Sequence, residues 1–462
     1  MNEPFPQTAE EFYARRDDRT NRCTLRREYQ HTRCLVTGDA RFLNTRVGQT
    51  LLVTACNLLS RWCRHVELAV PGEDCHALLN LPCVREPRLY GAVLAMMTDA
   101  DPFGAFAVVK TPSTNCDIQL HLGPNPVQYS PHLVCAAANG WLAELATNGP
   151  ISLELKDDNS IGALAAACLS GAQVFKIATT HEPVLRDGVL NLWNLSWSEE
   201  GANTSGDAVC EGDVGSILLI GAGSVGSAAV YSMHMAGITT QVRVIEGDQV
   251  KVENFNRSPL FGRQTYGANK GHALQIALAN SSVGIIEVHE GWWDSYVQQH
   301  GRPQGDLWLP LANEFGVRWS VQNNYPPVMV HASTGVNWTV NFGRHIPLRD
   351  DCLMDRFPDD APVEAMACAT GQVQVRDTRV DAALPFASLF AGVLIAADIL
   401  RLTISGYPHT PNYSAVDFGG TMESIHSWDR QPRLGCICSK QLPSLFTSVN
   451  NGSRYANLIH VG

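Results

Sequence analysis

Between Glu246 and Lys270 the chain sets out residue types suited to phosphate chemistry. An acid-glycine-acid triplet, Glu246-Gly-Asp248, comes first. Asn254-Phe-Asn256-Arg257 follows, then Arg263, then Gly267-Ala-Asn-Lys270. Carboxylates at the first position suit a ribose and its surroundings. Amide, guanidinium and ammonium groups suit phosphate oxygens and the charge that develops when an α-phosphate is attacked. A diphosphate cofactor is largely neutralised by a helix N-terminus, so this much added cation and amide points to a triphosphate. Each of these side chains taken singly also fits a solvated polar loop; the argument rests on the set.

The elements that must position them are legible on both sides. Ser216-Ile-Leu-Leu-Ile220 is a short apolar run of the kind a parallel strand buried on both faces requires. Gly221-Ala-Gly223-Ser-Val-Gly226 follows, and Ser227 to Ala236 predicts a helix packed closely on that strand. Glycines let backbone approach a phosphate, and the helix N-terminus favours its charge. Gln241 to Ile245 predicts a second strand, which places Glu246 at the spacing of roughly 20 residues typical of a dinucleotide fingerprint. A helix after Lys270 to about Asn280, a strand over 284–288 and a strand over 306–311 continue the alternation. Strands are expected again after Pro327 and near Asn337, and an apolar helix over 384–400.

Taken in this order, the motifs over roughly 215 to 405 resemble the adenylation domain of ubiquitin-activating enzymes. They are similar also to the ThiF- and MoeB-type activators of bacterial sulfur carriers. The resemblance implies ATP with Mg2+ at Gly221, Gly223, Gly226, Glu246, Asp248, Asn254, Arg257, Arg263 and Lys270, and at Asn313 where the family has a metal-binding aspartate. Asn313 is a neutral ligand and weakens a metal site, with Glu314 and Asp248 as neighbouring alternatives. The family's crossover loop falls at about 346–383. It carries Cys368, in Met-Ala-Cys-Ala-Thr-Gly, as thioester nucleophile, and Cys352, flanked by acids that disfavour a thiolate. Relatives carry paired Cys-x-x-Cys zinc half-sites; here only Cys352, Cys436 and Cys438 remain, a degraded spacing for Zn2+. The implied partners are a ubiquitin-like protein ending in glycine and a conjugating enzyme.

The first half repeats the order of elements without the chemistry. Arg33-Cys-Leu-Val-Thr-Gly38 leads to a helix over 50–64 and a strand over 65–70, but the next glycine is Gly48 and no Asn-x-Asn-Arg follows. Asp117 to Leu122 predicts another strand, and Gly162 to Lys176 an apolar helix matching that at 384–400. The expected fold class is therefore α/β, with two doubly wound Rossmann-like halves forming a pseudo-dimer in one chain. An inactive half spans 1–195, a linker 196–215, an active half 216–440 and a polar tail 441–462. The arginine-rich stretch 9–33 reads as a solvated amphipathic helix. In the resembled family an arginine near the start of the partner half reaches ATP; which one would do so here stays open.

The formal net charge of −11 over 462 residues gives no reason to expect nucleic-acid binding. No run was expected to reach the roughly 18 to 20 apolar residues of a membrane span, and Met1-Asn-Glu-Pro lacks signal-peptide character. A cytoplasmic protein is expected, its 14 cysteines mostly buried small hydrophobes. Sulfur-carrier activation, a NAD-dependent oxidoreductase and a non-catalytic scaffold that docks a ubiquitin-like protein are the alternatives. The fused inactive half disfavours the first, the Asn254-to-Lys270 set disfavours the second, and Asn313 sustains the third.

Overall fold

The computed structural model describes residues 3–24, 27–70, 75–154, 156, 159–199, 206, 213–312, 315–335, 338–356, 373–375, 378–380, 384–404, 410–419, 425–432 and 450–459. The first half contains α1 (Ala9–Arg16), α2 (Asp18–Cys23), β1 (Arg33–Gly38), α3 (Ala40–Leu43), α4 (Arg46–Ser60), β2 (His65–Ala69), α5 (Leu89–Ala100) and β3 (Ala105–Val108). It closes with β4 (Ile118–Leu122), β5 (His132–Asn139), β6 (Leu142–Thr147), α6 (Ile161–Thr180), β7 (Gly188–Asn191) and β8 (Ser196–Ser198).

The second half opens with β9 (Asp213–Ile220), α7 (Ser224–Met235), β10 (Thr239–Glu246), α8 (Val252–Phe255), α9 (Lys270–Ala277), β11 (Val283–Glu290), α10 (Trp293–His300) and β12 (Leu307–Pro310). It continues through α11 (Phe315–Asn323), β13 (Val328–Thr334), β14 (Thr339–His345) and α12 (Leu353–Arg356). A small ribbon, β15 (Val373–Val375) with β16 (Thr378–Val380), precedes α13 (Pro385–Leu402), β17 (Tyr413–Asp417) and β18 (Ile425–Trp428).

The two large sheets are copies in topology. One runs β3-β2-β1-β4-β5-β6-β7-β8 and the other β11-β10-β9-β12-β13-β14-β17-β18. In each, the first five strands are parallel and the last three antiparallel. Each sheet changes winding direction beside its central strand, β1 or β9, which is where such folds hold ligands. The expected pair of Rossmann-like halves is thus the observed architecture.

One core runs through both halves. α6 and α13 lie at its centre, and α13 crosses α7 so closely that a Cβ on Gly392 would sit 2.4 Å from the Ala228 carbonyl carbon. Only small residues permit that approach, which accounts for the Ala-, Gly- and Ser-rich sequences of α6, α7 and α13.

Several expectations need correcting. α6 and α13 are long and apolar enough to cross a membrane by length and composition, and both are wholly buried in the core. The N-terminal arginine stretch is two helices rather than one solvated helix. Arg16 is fully buried, bonded to Asp17 at 2.6 Å and Asp101 at 2.5 Å. β8 extends the first sheet to Ser198 and β9 begins at Asp213, so the connection is shorter than 196–215. Trp292 and Trp293, adjacent aromatics expected in the core, divide: Trp293 is core and Trp292 is 56% exposed.

Candidate nucleotide site

The turn from β9 into α7 assigns its glycines different tasks. Gly221 has φ +92°, a left-handed value that favours glycine, and a Cβ there would meet the Ala312 nitrogen at 2.7 Å. A Cβ on Gly226 would lie 2.2 Å from the Gly221 oxygen, so this glycine lets α7 close on the turn. Gly223 is different: it caps α7, and a Cβ there would meet nothing within 4 Å. At Gly223 the N-terminus of α7 faces open space, with its positive dipole end and N–H groups that are unbonded among the described residues available to an anion.

The corresponding turn in the first half is filled. α3 folds back over the start of α4, and a Cβ on Gly48 would stand 1.9 Å from the Phe42 oxygen. Thr45 caps α4 by accepting from the Gly48 N–H at 3.0 Å. The N-terminus of α4 is thus closed by a side-chain cap, where that of α7 carries only Gly223.

Around the open turn, Glu246 ends β10 and accepts from the Ala222 N–H at 2.6 Å and the Asp248 N–H at 2.8 Å. It is 6% exposed, and burial raises its carboxyl above the ordinary range despite nearby Lys270. Glu246 thus braces the glycine turn against β10, and each of its oxygens already holds one backbone N–H. Asp248 is the more open acid, and its carboxylate accepts from Lys270 Nζ at 2.8 Å. Lys270 is placed at the start of α9 by its own N–H bond to the Asp248 carbonyl and by the Asn269 cap on Gly271. Asn269 also donates to the Glu246 carbonyl at 2.8 Å, tying α9 to β10.

Asn254 accepts from the Lys251 N–H at 2.8 Å and closes the first turn of α8. Arg257, 7% exposed, donates to the Glu253 carbonyl and to Asn256 Oδ1, the latter at 2.9 Å. Arg263 is set apart: its guanidinium lies over the Phe5 ring, 5.7 Å from the centroid. Among the described residues it makes no hydrogen bond or ion pair with Glu246, Asp248 or Lys270. Aromatic packing of the N-terminal segment draws it to the seam between halves, a long-range contact its spacing did not disclose.

The first half reaches this loop. Arg15 on α1 bonds Glu253 at 2.9 Å, and that bond holds the Glu253 carboxyl below its ordinary range although burial opposes it. Of the N-terminal arginines, Arg15 touches α8, whereas Arg16 is consumed by buried acids.

Sequence reasoning took Trp292 as core and gave Gly247 no role. A Cβ on Gly247 would lie 2.7 Å from the Trp292 ring, so glycine between the two acids lets an exposed indole lie against the chain at the mouth of β10 and β11. The signal was available: a glycine between Glu246 and Asp248, and an aromatic just past the next strand.

Asn313, Glu314, Cys368, Cys436 and Cys438 lie outside the described residues. Cys352 is fully buried at the start of α12. The acids before it are taken by arginines, Asp350 by Arg344 and Asp351 by Arg356 and Arg430. No group of three or more His, Cys, Asp or Glu side chains able to hold a metal occurs among the described residues.

Residues 213–432 match the ThiF family, and residues 33–189 match the BilD N-terminal domain. Among solved structures the chain is similar to E. coli MccB with MccA-N7isoASN, at 17% identity and a TM-score of 0.38. It is similar to the microcin C7 biosynthetic enzyme MccB in complex with N-formylated MccA at 19% and 0.38, and to E. coli MccB with ATP at 18% and 0.37. Each match covers 48% of this chain, and the chain spans 66%, 67% and 66% of those proteins in turn. No curated protein matches it.

Proposed function

We propose, from the match of residues 213–432 to the ThiF family, that the chain adenylates the C-terminal glycine carboxylate of a ubiquitin-like protein with ATP. One observation carries the reading: α7 is capped by Gly223, which leaves open space near the Lys270–Asp248 pair, whereas its copy α4 is closed by the Thr45 side chain.

The residues fit a nucleoside triphosphate. Gly221 and Gly226 shape the turn, and Gly223 leaves room for phosphate. Lys270 and Arg257 supply fixed positive charge for phosphate oxygens, and Asn254 holds the short helix from which Arg257 follows. Asp248 is the carboxylate available to the ribose or to Mg2+, and the Trp292 ring offers a face for the base. The substrate carboxylate attacks the α-phosphorus, the bond to the β-phosphate oxygen breaks, and pyrophosphate leaves with its electron pair. Preorganised cations stabilise the charge spread over the phosphoryl oxygens in that step.

In the second step the Cys368 thiolate attacks the acyl carbon, the mixed anhydride breaks and AMP leaves, giving a thioester. A conjugating-enzyme thiol then takes the acyl group, in a cytoplasmic setting that keeps thiols reduced. The crossover position of Cys368 in sequence supports this assignment, and the buried setting of Cys352 disfavours that thiol as nucleophile. Zn2+ at Cys352, Cys436 and Cys438 would be structural.

ATP–pyrophosphate exchange tests the first step. Exchange that depends on a ubiquitin-like protein ending in glycine is expected; its absence with every such protein from the same genome would sink the reading. A DTT-sensitive adduct lost in Cys368→Ala tests the second, and an adduct that survives would reassign the nucleophile.

A further inference from the structure

The first half grips the loop that follows Asn254. Arg61, at the C-terminal cap of α4, is 3% exposed. Its guanidinium donates to the carbonyls of Phe255 at 3.0 Å, Pro259 at 2.9 Å and Phe261. Its fourth bond runs to Asn57 Oδ1 at 3.0 Å, one turn back on α4, and Asn57 itself donates to the Pro259 carbonyl at 3.1 Å. On either side, Thr20 accepts from Asn256 at 3.3 Å and Asp99 accepts from the Gln264 N–H at 2.9 Å. The clamped segment thus brackets Arg257, whose own guanidinium leans on Asn256.

A guanidinium buried against carbonyls, with no carboxylate bonded to it among the described residues, is a costly way to fill a seam. Burial lowers it to about 10, so it stays charged at neutral pH. What the charge and planar fork provide is convergence: carbonyls from three residues of one loop are drawn to one point, which an ammonium on a flexible stem does not match. The copy of α4 in the second half, α7, ends in Ala236 at the same cap position. That helix end carries no such device, so a long polar side chain is not a requirement of the fold.

We propose that Arg61, oriented by Asn57, is a positioning residue that sets the 255–261 loop so that Arg257 meets the nucleotide phosphates; the first half acts as the template for the second half's site. The inference rests on the ATP-dependent reading above, and its experiment separates the two. Mg-ATP binding is measured by titration calorimetry, with exchange and melting temperature in parallel, on wild type, Arg61→Lys, Asn57→Ala and Thr54→Val. Thr54 lies on the same helix and bonds Tyr231 across the same seam at 3.1 Å, with no hydrogen bond to the loop among the described residues.

Arg61→Lys is expected to weaken ATP and slow exchange by on the order of 10- to 100-fold, the cost of a misplaced charged group, with the KM for the protein substrate unchanged. Asn57→Ala should move the same way by less, and Thr54→Val should lower only the melting temperature. If Arg61→Lys fails to fold, Asn57→Ala carries the comparison. Wild-type ATP affinity and exchange in the folded Arg61 or Asn57 variant overturns the proposal. Absent exchange in the wild type together with weakened ATP binding in the variants would sink adenylation and leave the clamp standing.

Discussion

Two N-cap residues at the same place in two copies of one fold, Thr45 and Gly223, serve opposite ends. At Thr45 the side chain closes the end of α4 by accepting from the Gly48 N–H, while the Phe42 carbonyl packs on Gly48 itself. At Gly223 the missing side chain leaves a hole. A turn rich in glycine therefore does not by itself announce a ligand; what matters is whether the space it frees is taken by the chain.

The sharpest break of this comparison is Gly223→Val. Its φ of −69° suits any residue, so the fold should persist with a wild-type melting temperature while ATP binding is abolished in calorimetry. Lys270→Ala should reduce kcat/KM in ATP–pyrophosphate exchange by on the order of 100- to 1000-fold, the usual cost of losing one charge-stabilising donor. Gly48→Ala has the reverse signature: a clash with backbone costing about 3 kcal/mol in urea unfolding, with ATP affinity per folded molecule unchanged.

Trp292→Ala should raise the KM for ATP about tenfold with kcat nearly constant, as loss of a base-stacking face predicts, and Trp292→Phe should recover most of it. Smallest is a pH effect confined to the first half. His121, 4% exposed, accepts from Thr37 on Nδ1, has no partner on Nε2 among the described residues, and is lowered to about 4 by burial. Between the ordinary histidine value near 6.5 and about 4, the unfolded chain takes a proton that the folded one refuses, so acid destabilises. His121→Gln should shrink the stability lost between pH 7 and pH 6 by somewhat less than about 1 kcal/mol, read from urea midpoints.

The duplicated order of elements was legible because parallel strands buried on both faces leave unbroken apolar runs, and both halves carry them. Gly221 to Gly226 and Glu246 to Lys270 were legible because local spacing alone generates a turn, a strand end and a loop. Partners far apart in sequence were not. Nothing near Arg16 announces Asp101, and nothing near Arg263 announces Phe5. The split of Trp292 from Trp293 depends on which face of the sheet edge each reaches. Asn57 and Arg61 sit four apart on α4, a spacing that shows they share a helix face but not that the face meets residues 255–261. The filling of the first turn by α3 was equally hidden, since the short stretch 40–43 has no periodicity of its own.

The burial of α6 and α13 bears on how the chain can be made and divided. Each is as apolar as a membrane span, and each is covered partly by the other and by helices from both halves. Cutting the chain within 199–212 and separating the pieces would present two such helices to water at once. The halves should therefore unfold in one cooperative transition, and either half expressed alone should be recovered as aggregate or in the hands of chaperones. Each half would then persist in part because the other cannot be solubly folded without it.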